Sequence, residues 1–294
     1  MFRFLIYISL AAACVIGLSV ASVGLLLLTT PRPTNIRDCL TTKMFEVHLC
    51  PGDSNYVRLQ DTSPHLRNAV LVSEDSAFYD HHGFDFHELQ ESIATNWARG
   101  VMARGGSTIT QQLAKNVYLS PEKSVLRKLR EALIVIQLEQ ALSKNEIFEK
   151  YLNVVEFGPD LFGIGPASRF YFKKPPSSLT PAEGAFLAFL LPNPKKYAVS
   201  FQKKQLSKFA RSQTREIVNR LLRFKRINEE DHVTALNQLD HLFGGTPSYL
   251  PTGTATAGSA NSNILNEDSS ADSDSDSDEN ENATPEESGV NNDD

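Results

Sequence analysis

Apolar positions along the chain come first as an unbroken block and then as helical stripes. From Phe4 to Thr30 the sequence, FLIYISLAAACVIGLSVASVGLLLLTT, carries no charge. About 25 apolar-dominated residues span roughly 37 Å as a helix, enough for a hydrocarbon core of roughly 30 Å. The pattern therefore predicts a single transmembrane helix over residues 1–30. A cleavable leader, with its apolar region of about 7–15 residues, would be shorter. Small residues around Ala21 would be the cleavage point of such a leader, and AAAC at 11–14 faintly suggests a lipidated cysteine, but apolar sequence runs on past both.

Residues 31–62 change character, with prolines, Asp/Asn/Gly turn residues and the stretch MFEVHL, whose alternation allows a short strand. A linker with a short hairpin is expected there. From Ser63 to about Asp240 helix signals recur. Ser63-Pro64 reads as an N-cap with proline at the first helical position, opening PHLRNAVLVSED. Asp85-x-x-Glu88, Ser143-x-x-Glu146 and Thr180-Pro181-Ala182-Glu183 fit capping boxes, and Ser120-Pro121 reads as one more cap. In VLRKLREALIVIQLEQAL, Leu126, Leu129, Leu133, Ile136 and Leu138 lie near one broad face, and the IVI run extends the apolar surface further. A central, largely buried helix is expected. The segment 63–250 is thus read as one mainly α domain.

The first of these helices raises a question of charge. Glu74 and Asp75 stand at its carboxyl end, where the macrodipole disfavours carboxylates by roughly 0.3–1 kcal/mol at exposed sites. Acids at that end call for a partner or a function.

Composition sharpens the picture. The chain of 294 residues has a net charge of −6, but residues 251–294 hold twelve acids and no Lys or Arg. Residues 1–250 therefore carry 23 acids against 29 bases, a balance of +6. The tail 251–294 is low in apolar residues and is expected to be disordered. A basic body held at a membrane suits an anionic substrate or anionic head groups; nucleic acid would suit the charge too, but no recognition motif for it is present. With the amino end inside, everything after residue 30 lies outside the cytoplasm, where Cys39 and Cys50 could pair. Their spacing is equally compatible with two free thiols.

Candidate chemistry concentrates after two glycine-rich interruptions, ARGGS at 103–107 and FGPDLFGIGP at 157–166. GGSTITQQLAKN places Thr108, Gln111, Gln112 and Lys115 on one helical face, a strip of hydroxyl, amide and ammonium groups. Lys123, Arg127, Lys128 and Arg130 follow as a dense basic run, in which Arg127 and Glu131 could also form a plain surface ion pair.

Together, SEDSAFYDHHGFD, ARGGSTITQQLAKN, RKLREALIVIQLEQALSKNEIFEKYLN and FGIGPASRFYFKKPPSSLTPAEGAFLAFLLPNPKKY resemble, in order and spacing, the peptidoglycan glycosyltransferases of the penicillin-binding-protein type, glycosyltransferase family 51. The nearest likeness is to the monofunctional biosynthetic transglycosylases. It covers roughly residues 60–225 and rests on EDxxFxxHxG at 74–83, GGSTITQQLxKN at 105–116, RKxxE at 127–131 and KxEIxExYLN at 144–153.

The resemblance implies a lysozyme-like, two-lobed glycosyltransferase domain around a long cleft, behind the N-terminal transmembrane helix. It implies an enzyme that transfers a lipid-linked growing glycan onto the 4-hydroxyl of lipid-linked disaccharide-peptide (lipid II), forming β-1,4 bonds and releasing polyprenyl pyrophosphate. Glu74 matches the general base, and Asp75 is read as ordering the loop. Lys115, Lys123, Arg127 and Lys128 match phosphate-contacting positions; Ser107, Gln111 and Gln112 match polar cleft positions. Glu131 matches the second glutamate, assigned to the donor side or to a divalent cation, Mg or Mn. His81 is read as a structural hydrogen-bonder rather than a metal ligand, and His82 likewise is not expected to bind metal. Tyr151, Leu152 and Asn153 match the YLN element as packing support, while Glu139, Glu146 and Glu149 are read as surface or capping acids. Arg211 and Arg215 straddle the last motif and receive no role. The implied place is the bacterial cytoplasmic (inner) membrane, single-pass, with the domain on the periplasmic or extracellular side. The implied partners are lipid II, the lipid-linked glycan chain, the membrane and cell-wall synthesis proteins, with no nucleic acid. Two other readings share some of the features: a lysozyme-like enzyme that cuts the glycan, and a noncatalytic cell-wall scaffold. A cutter has no pyrophosphate to hold, and a scaffold needs neither the glutamates nor Lys115.

Overall fold

Side chains that can accept a free amide decide where most of the helices begin. The computed structural model describes residues 2–33, 35–99, 106–122 and 124–243. Lys123, Gly105 and the acidic tail 251–294 lie outside the described residues.

Helix α1 covers Phe2–Thr29. Its side chains are described without a break only from residue 13 onward, and within the described residues no helix is long and apolar enough to cross a membrane. After it, β1 (Leu40–Thr41) pairs antiparallel with β2 (His48–Leu49), Leu40 opposite Leu49. Cys39 and Cys50, flanking the two strands, form a disulfide. The pairing that spacing left open is thereby decided.

The domain continues with α2 (Pro64–Glu74), α3 (Phe86–Arg99), α4 (Ile109–Tyr118), α5 (Val125–Ala141) and α6 (Lys144–Val154). A small antiparallel pair follows, β3 (Glu156–Gly158) with β4 (Leu161–Phe162), and then α7 (Ile164–Phe172) and α8 (Pro181–Leu190). Two short helices, α9 (Pro194–Tyr197) and α10 (Val199–Gln202), lead into α11 (Lys208–Arg223) and α12 (Glu229–Asp240). The architecture is mainly helical, as expected.

Local signals account for several boundaries. The Ser63 side chain accepts from the His65 amide, and Ser143 and Thr180 each close a full capping box with Glu146 and Glu183. Asp85 Oδ1 takes the Glu88 amide at 2.8 Å, as the expected box requires of Asp85. Ser120 does not cap a helix; α5 starts at Val125, capped by Ser124, whose hydroxyl accepts from the Arg127 amide. Both serines can cap, and the one adjoining the periodic segment does so.

Packing corrects the reading of α5. Its buried residues are Glu131, Ile134, Val135 and Leu138, one stripe at i, i+3, i+4 and i+7, whereas Leu126, Leu129 and Ile136 are about half exposed and Val125 is 80% exposed. With apolar residues around so much of its circumference, α5 had no unique inward face in sequence. The helix that is buried throughout is α8, from Ala182 to Leu190. It packs on α2, α11 and α12, while α4 packs on α5 and α6. At the α2–α8 crossing a Cβ on Gly184 would lie 2.9 Å from the Leu66 Cα, so only glycine permits the approach.

Residues 31–62 are tied to α6 rather than strung past it. Arg37 donates from Nε to Glu146 Oε1 (3.0 Å) and from Nη2 to the Ala141 carbonyl (2.8 Å). Glu149 accepts from the Tyr56 hydroxyl (2.6 Å) and the Leu59 amide (2.7 Å), and Asn153 exchanges hydrogen bonds with both backbone groups of Val57 at 2.8 Å. Glu139 accepts from Thr110 Oγ1 (2.6 Å) and Lys144 Nζ (2.9 Å). Of the three acids expected to be surface or capping groups, Glu146 caps its helix; Glu139 and Glu149 join elements together, because buried amides and hydroxyls need acceptors.

Candidate active site

The two acids at the end of α2 have different partners. Asp75, the C-cap, is buried, and its Oδ2 accepts from the Ile109 amide at 3.0 Å, in the first turn of α4. A carboxylate unfavourable at the end of one helix is thus favourable at the start of another. Asp75 Oδ1 lies 2.9 Å from His81 Nε2, and His81 Nδ1 accepts from the Gly83 amide at 3.1 Å. With Nδ1 as acceptor, the proton sits on Nε2 and is donated to Asp75. The Gly83 carbonyl in turn accepts from Thr108 Oγ1 at 2.7 Å. Gly83 has φ +87° and a Cβ there would lie 2.4 Å from Val135 Cγ1, so the loop presses directly on α5. Asp75 and His81 order the segment, in keeping with both readings.

Glu74 is held from the side. Its Oε2 accepts from Gln112 Nε2 at 2.8 Å, and the same amide's Oε1 accepts from the buried Tyr151 hydroxyl at 3.3 Å. Tyr151 of the YLN element therefore helps turn the donor end of Gln112 toward Glu74.

The carboxylate borders a cavity of about 550 Å³. Ser107, Gln112 and Lys115 share its wall with Glu74, joined by Thr108, Asp85, Glu88, Leu191, Pro192 and Arg220. Burial pushes the Glu74 pKa up, opposed by the Gln112 hydrogen bond and by Lys115 and Arg220, with the Asp75 charge adding to the rise. Burial pushes the Lys115 pKa down; Glu131 and Glu74 counter this, while Arg127 and Lys128 reinforce it. Lys115 thus lies in the field of both glutamates and both neighbouring cations. Glu131 is 3% exposed and in contact with the Lys128 ammonium. The Arg127 Nε is buried without a hydrogen-bond partner among the described residues.

Other expected positions fall elsewhere. The Gln111 side chain accepts from the Thr108 amide at 2.9 Å, closing the capping box of α4, and does not line the cavity. Lys123 is outside the described residues. Arg211 pairs with Asp240, and Arg215 is exposed. The arginine of α11 that reaches the cavity is Arg220, which sequence reasoning missed. It flanks the buried stripe Ala210, Thr214, Ile217, Val218 and Leu221, a periodicity that could have marked it.

The surroundings of Glu131 do not form a metal cage. Among the described residues no group of three His, Cys, Asp or Glu ligand atoms includes it, and its near neighbour is an ammonium. Asp75, His81 and Asp85 do converge, with ligand atoms within 4.8 Å, but both His81 nitrogens already have partners.

Residues 43–221 match the family model described as Transglycosylase. A biosynthetic peptidoglycan transglycosylase of Azoarcus sp. (strain BH72) is 49% identical over 146 residues, covering 50% of this chain and 63% of the relative. One from Aromatoleum aromaticum is 50% identical over 139 residues, 47% of this chain and 60% of the relative. One from Nitrosomonas eutropha is 47% identical over 156 residues, 53% and 64% respectively. The chain spans less than two thirds of the length of each of these relatives. With more than half of its residues matched by the family model, the chain belongs to the transglycosylase family.

Proposed function

We propose that the chain is a peptidoglycan glycan-strand polymerase that joins lipid-linked disaccharide-peptides, attacking the anomeric carbon of a lipid-linked growing glycan with the 4-hydroxyl of lipid II. The observation that carries this reading is the pairing on one cavity wall of a desolvated carboxylate, Glu74, with a desolvated ammonium, Lys115. Attack by a hydroxyl releases a proton, and Glu74, its pKa raised by burial, takes it as general base. Departure of a pyrophosphate gathers negative charge, and the charges of Lys115, Arg127 and Lys128 stabilise it. Glu131, in contact with the Lys128 ammonium, holds that cation in place from the donor side. A divalent cation bound with the pyrophosphate would supply further charge neutralisation, but the residues beside Glu131 give it little support, and none of these steps needs one. A glycan-cutting enzyme would have no use for the cations.

The domain is read as lysozyme-like and two-lobed, anchored by residues 1–30 in the cytoplasmic membrane with the cavity on its outer side. Support comes from the uncharged segment 4–30 and from α5, where exposed Val125, Leu126 and Leu129 precede Arg130, whose Nη2 reaches Thr29 Oγ1 at 3.3 Å. Apolar side chains beside the end of α1 suit a lipid surface.

The test is incubation of the detergent-solubilised full chain with lipid-linked disaccharide-peptide, followed by glycan-length analysis. Polymer from wild type and at least about 10²-fold less from Glu74→Gln is the expected outcome. Shortening of added glycan instead of its growth would overturn the reading.

A further inference from the structure

A second cavity, about 560 Å³, has a lining that does not include Glu74. Arg58, just before the 3-10 turn Leu59–Asp61, Arg67 on α2 and Arg226 in the turn after α11 all line it. The chain answers this charge only in part. Arg58 pairs with Asp61 at 2.8 Å. Arg67 donates from Nη1 to the Leu59 carbonyl at 3.2 Å, leaving the rest of its fork without a hydrogen-bond partner among the described residues. Arg226 is exposed and its guanidinium has no hydrogen bond or ion pair with a described residue. Glu149 is the one lining carboxylate among the described residues, and each of its oxygens already accepts a hydrogen bond, from Tyr56 and Leu59.

The two under-used arginines line this one cavity from separate elements, together with the Tyr79 hydroxyl, which donates to Asn145 Oδ1 at 3.0 Å. Burial raises the Tyr79 pKa, and the charges of both arginines oppose that rise. Like charges brought together from separate elements repel, and an anion between them relieves this. Guanidinium forks match the planar pair of oxygens on a carboxylate or the oxygens of a phosphate. We propose that this cavity is an oxyanion-binding site that clamps a carboxylate or phosphate group between Arg67 and Arg226. It is distinct from the Glu74 cavity, although α2 contributes to both, through Glu74 on one side and Arg67 on the other, while α11 supplies Arg220 to the first and the turn after it supplies Arg226 to the second. An occupant would tie α2 to the turn after α11. The proposal does not depend on the glycan-polymerase reading.

The test uses the full chain in detergent carrying Lys115→Ala, which removes one of the cations lining the first cavity. Inorganic phosphate and, separately, trialanine with a blocked amino terminus are titrated at constant ionic strength, with binding read by calorimetry and by thermal shift. Saturable binding of either probe that weakens about tenfold or more in Arg226→Gln is expected, as loss of a charge-assisted hydrogen bond implies. Preference for phosphate would assign a phosphorylated ligand, and preference for the peptide a carboxylate-bearing one. Arg223→Gln, an exposed arginine outside the cavity, should leave binding unchanged. The Arg226 guanidinium has no hydrogen bond or ion pair with a described residue, so its variant should fold even if Arg67→Gln does not. No saturable binding of either probe, or binding equally strong in Arg226→Gln, would overturn the proposal.

Discussion

Gln112 donates its Nε2 hydrogen to Glu74 Oε2 at 2.8 Å while accepting from the Tyr151 hydroxyl at 3.3 Å, so one amide connects a fully buried phenol to the carboxylate on the cavity wall. The connection runs from α6 through α4 to the last residue of α2. It gives Glu74 a fixed direction that its own helix could not provide.

Replacing Glu74 with Gln should separate chemistry from folding. Polymerisation is expected to fall at least about 10²-fold, the lower range for general-base catalysis, while donor affinity through Lys115 largely survives. The folded carboxyl has a raised pKa, so its contribution to stability is present below the unfolded value and is lost as pH rises through the folded one. At neutral pH the variant should therefore melt higher than wild type, at about 2–4 °C for each kcal/mol recovered. Unchanged polymerisation would remove Glu74 from the base role.

The acid limb of the activity profile should follow the same group. Activity is expected to drop as pH falls through a value above the ordinary 4.5 of a glutamate. Because the Gln112 hydrogen bond holds that value down, Gln112→Ala should move the limb to higher pH. A limb that stays in place would mean that another group controls it.

Asp75→Asn provides the contrast. The amide's NH2 end would face either the Ile109 amide or His81, leaving a buried donor opposed, at a cost of about 1–3 kcal/mol. Chemical denaturation should register this loss of stability, whereas Glu74→Gln should show none.

Lys115→Ala and Arg127→Ala are each expected to lower the turnover of the lipid-linked donor by the equivalent of about 2–4 kcal/mol, as for a removed oxyanion donor. Single-turnover kinetics with saturating acceptor would measure it. Wild-type rates in both variants would return these cations to ordinary helix surface.

Replacing Cys39 and Cys50 with Ser should cost about 2–3 kcal/mol for a loop whose ends are 11 residues apart, with turnover of the remaining folded protein preserved. Thermal melting under oxidising and reducing conditions would compare the two states. Neither cysteine lines the Glu74 cavity.

What the sequence determined by itself was whatever depends on neighbours in the chain. Ser63 with Pro64, Ser143 with Glu146 and Thr180 with Glu183 cap their helices because each bond closes within three residues. The motif glutamate and Lys115 were likewise legible, the first as an acid at an unsuitable helix end and the second on a polar helical strip, and the structure puts both on one cavity of a chain that belongs to the transglycosylase family. Tertiary structure decided the rest. Which face of α5 turned inward depended on α4 and α6, since Leu129 and Leu138 are equally apolar but only one meets a packed neighbour. Gln111 and Gln112 are chemically identical and adjacent, yet a 100° step around the helix sends one to the cap and the other to Glu74. Arg220 reaches the cavity, and Arg211 pairs with Asp240, because α11 crosses α2 and α8 at a register that no local spacing encodes. Contacts between distant segments arise from the joint packing of several helices, and a side chain's direction is set only when that packing is complete.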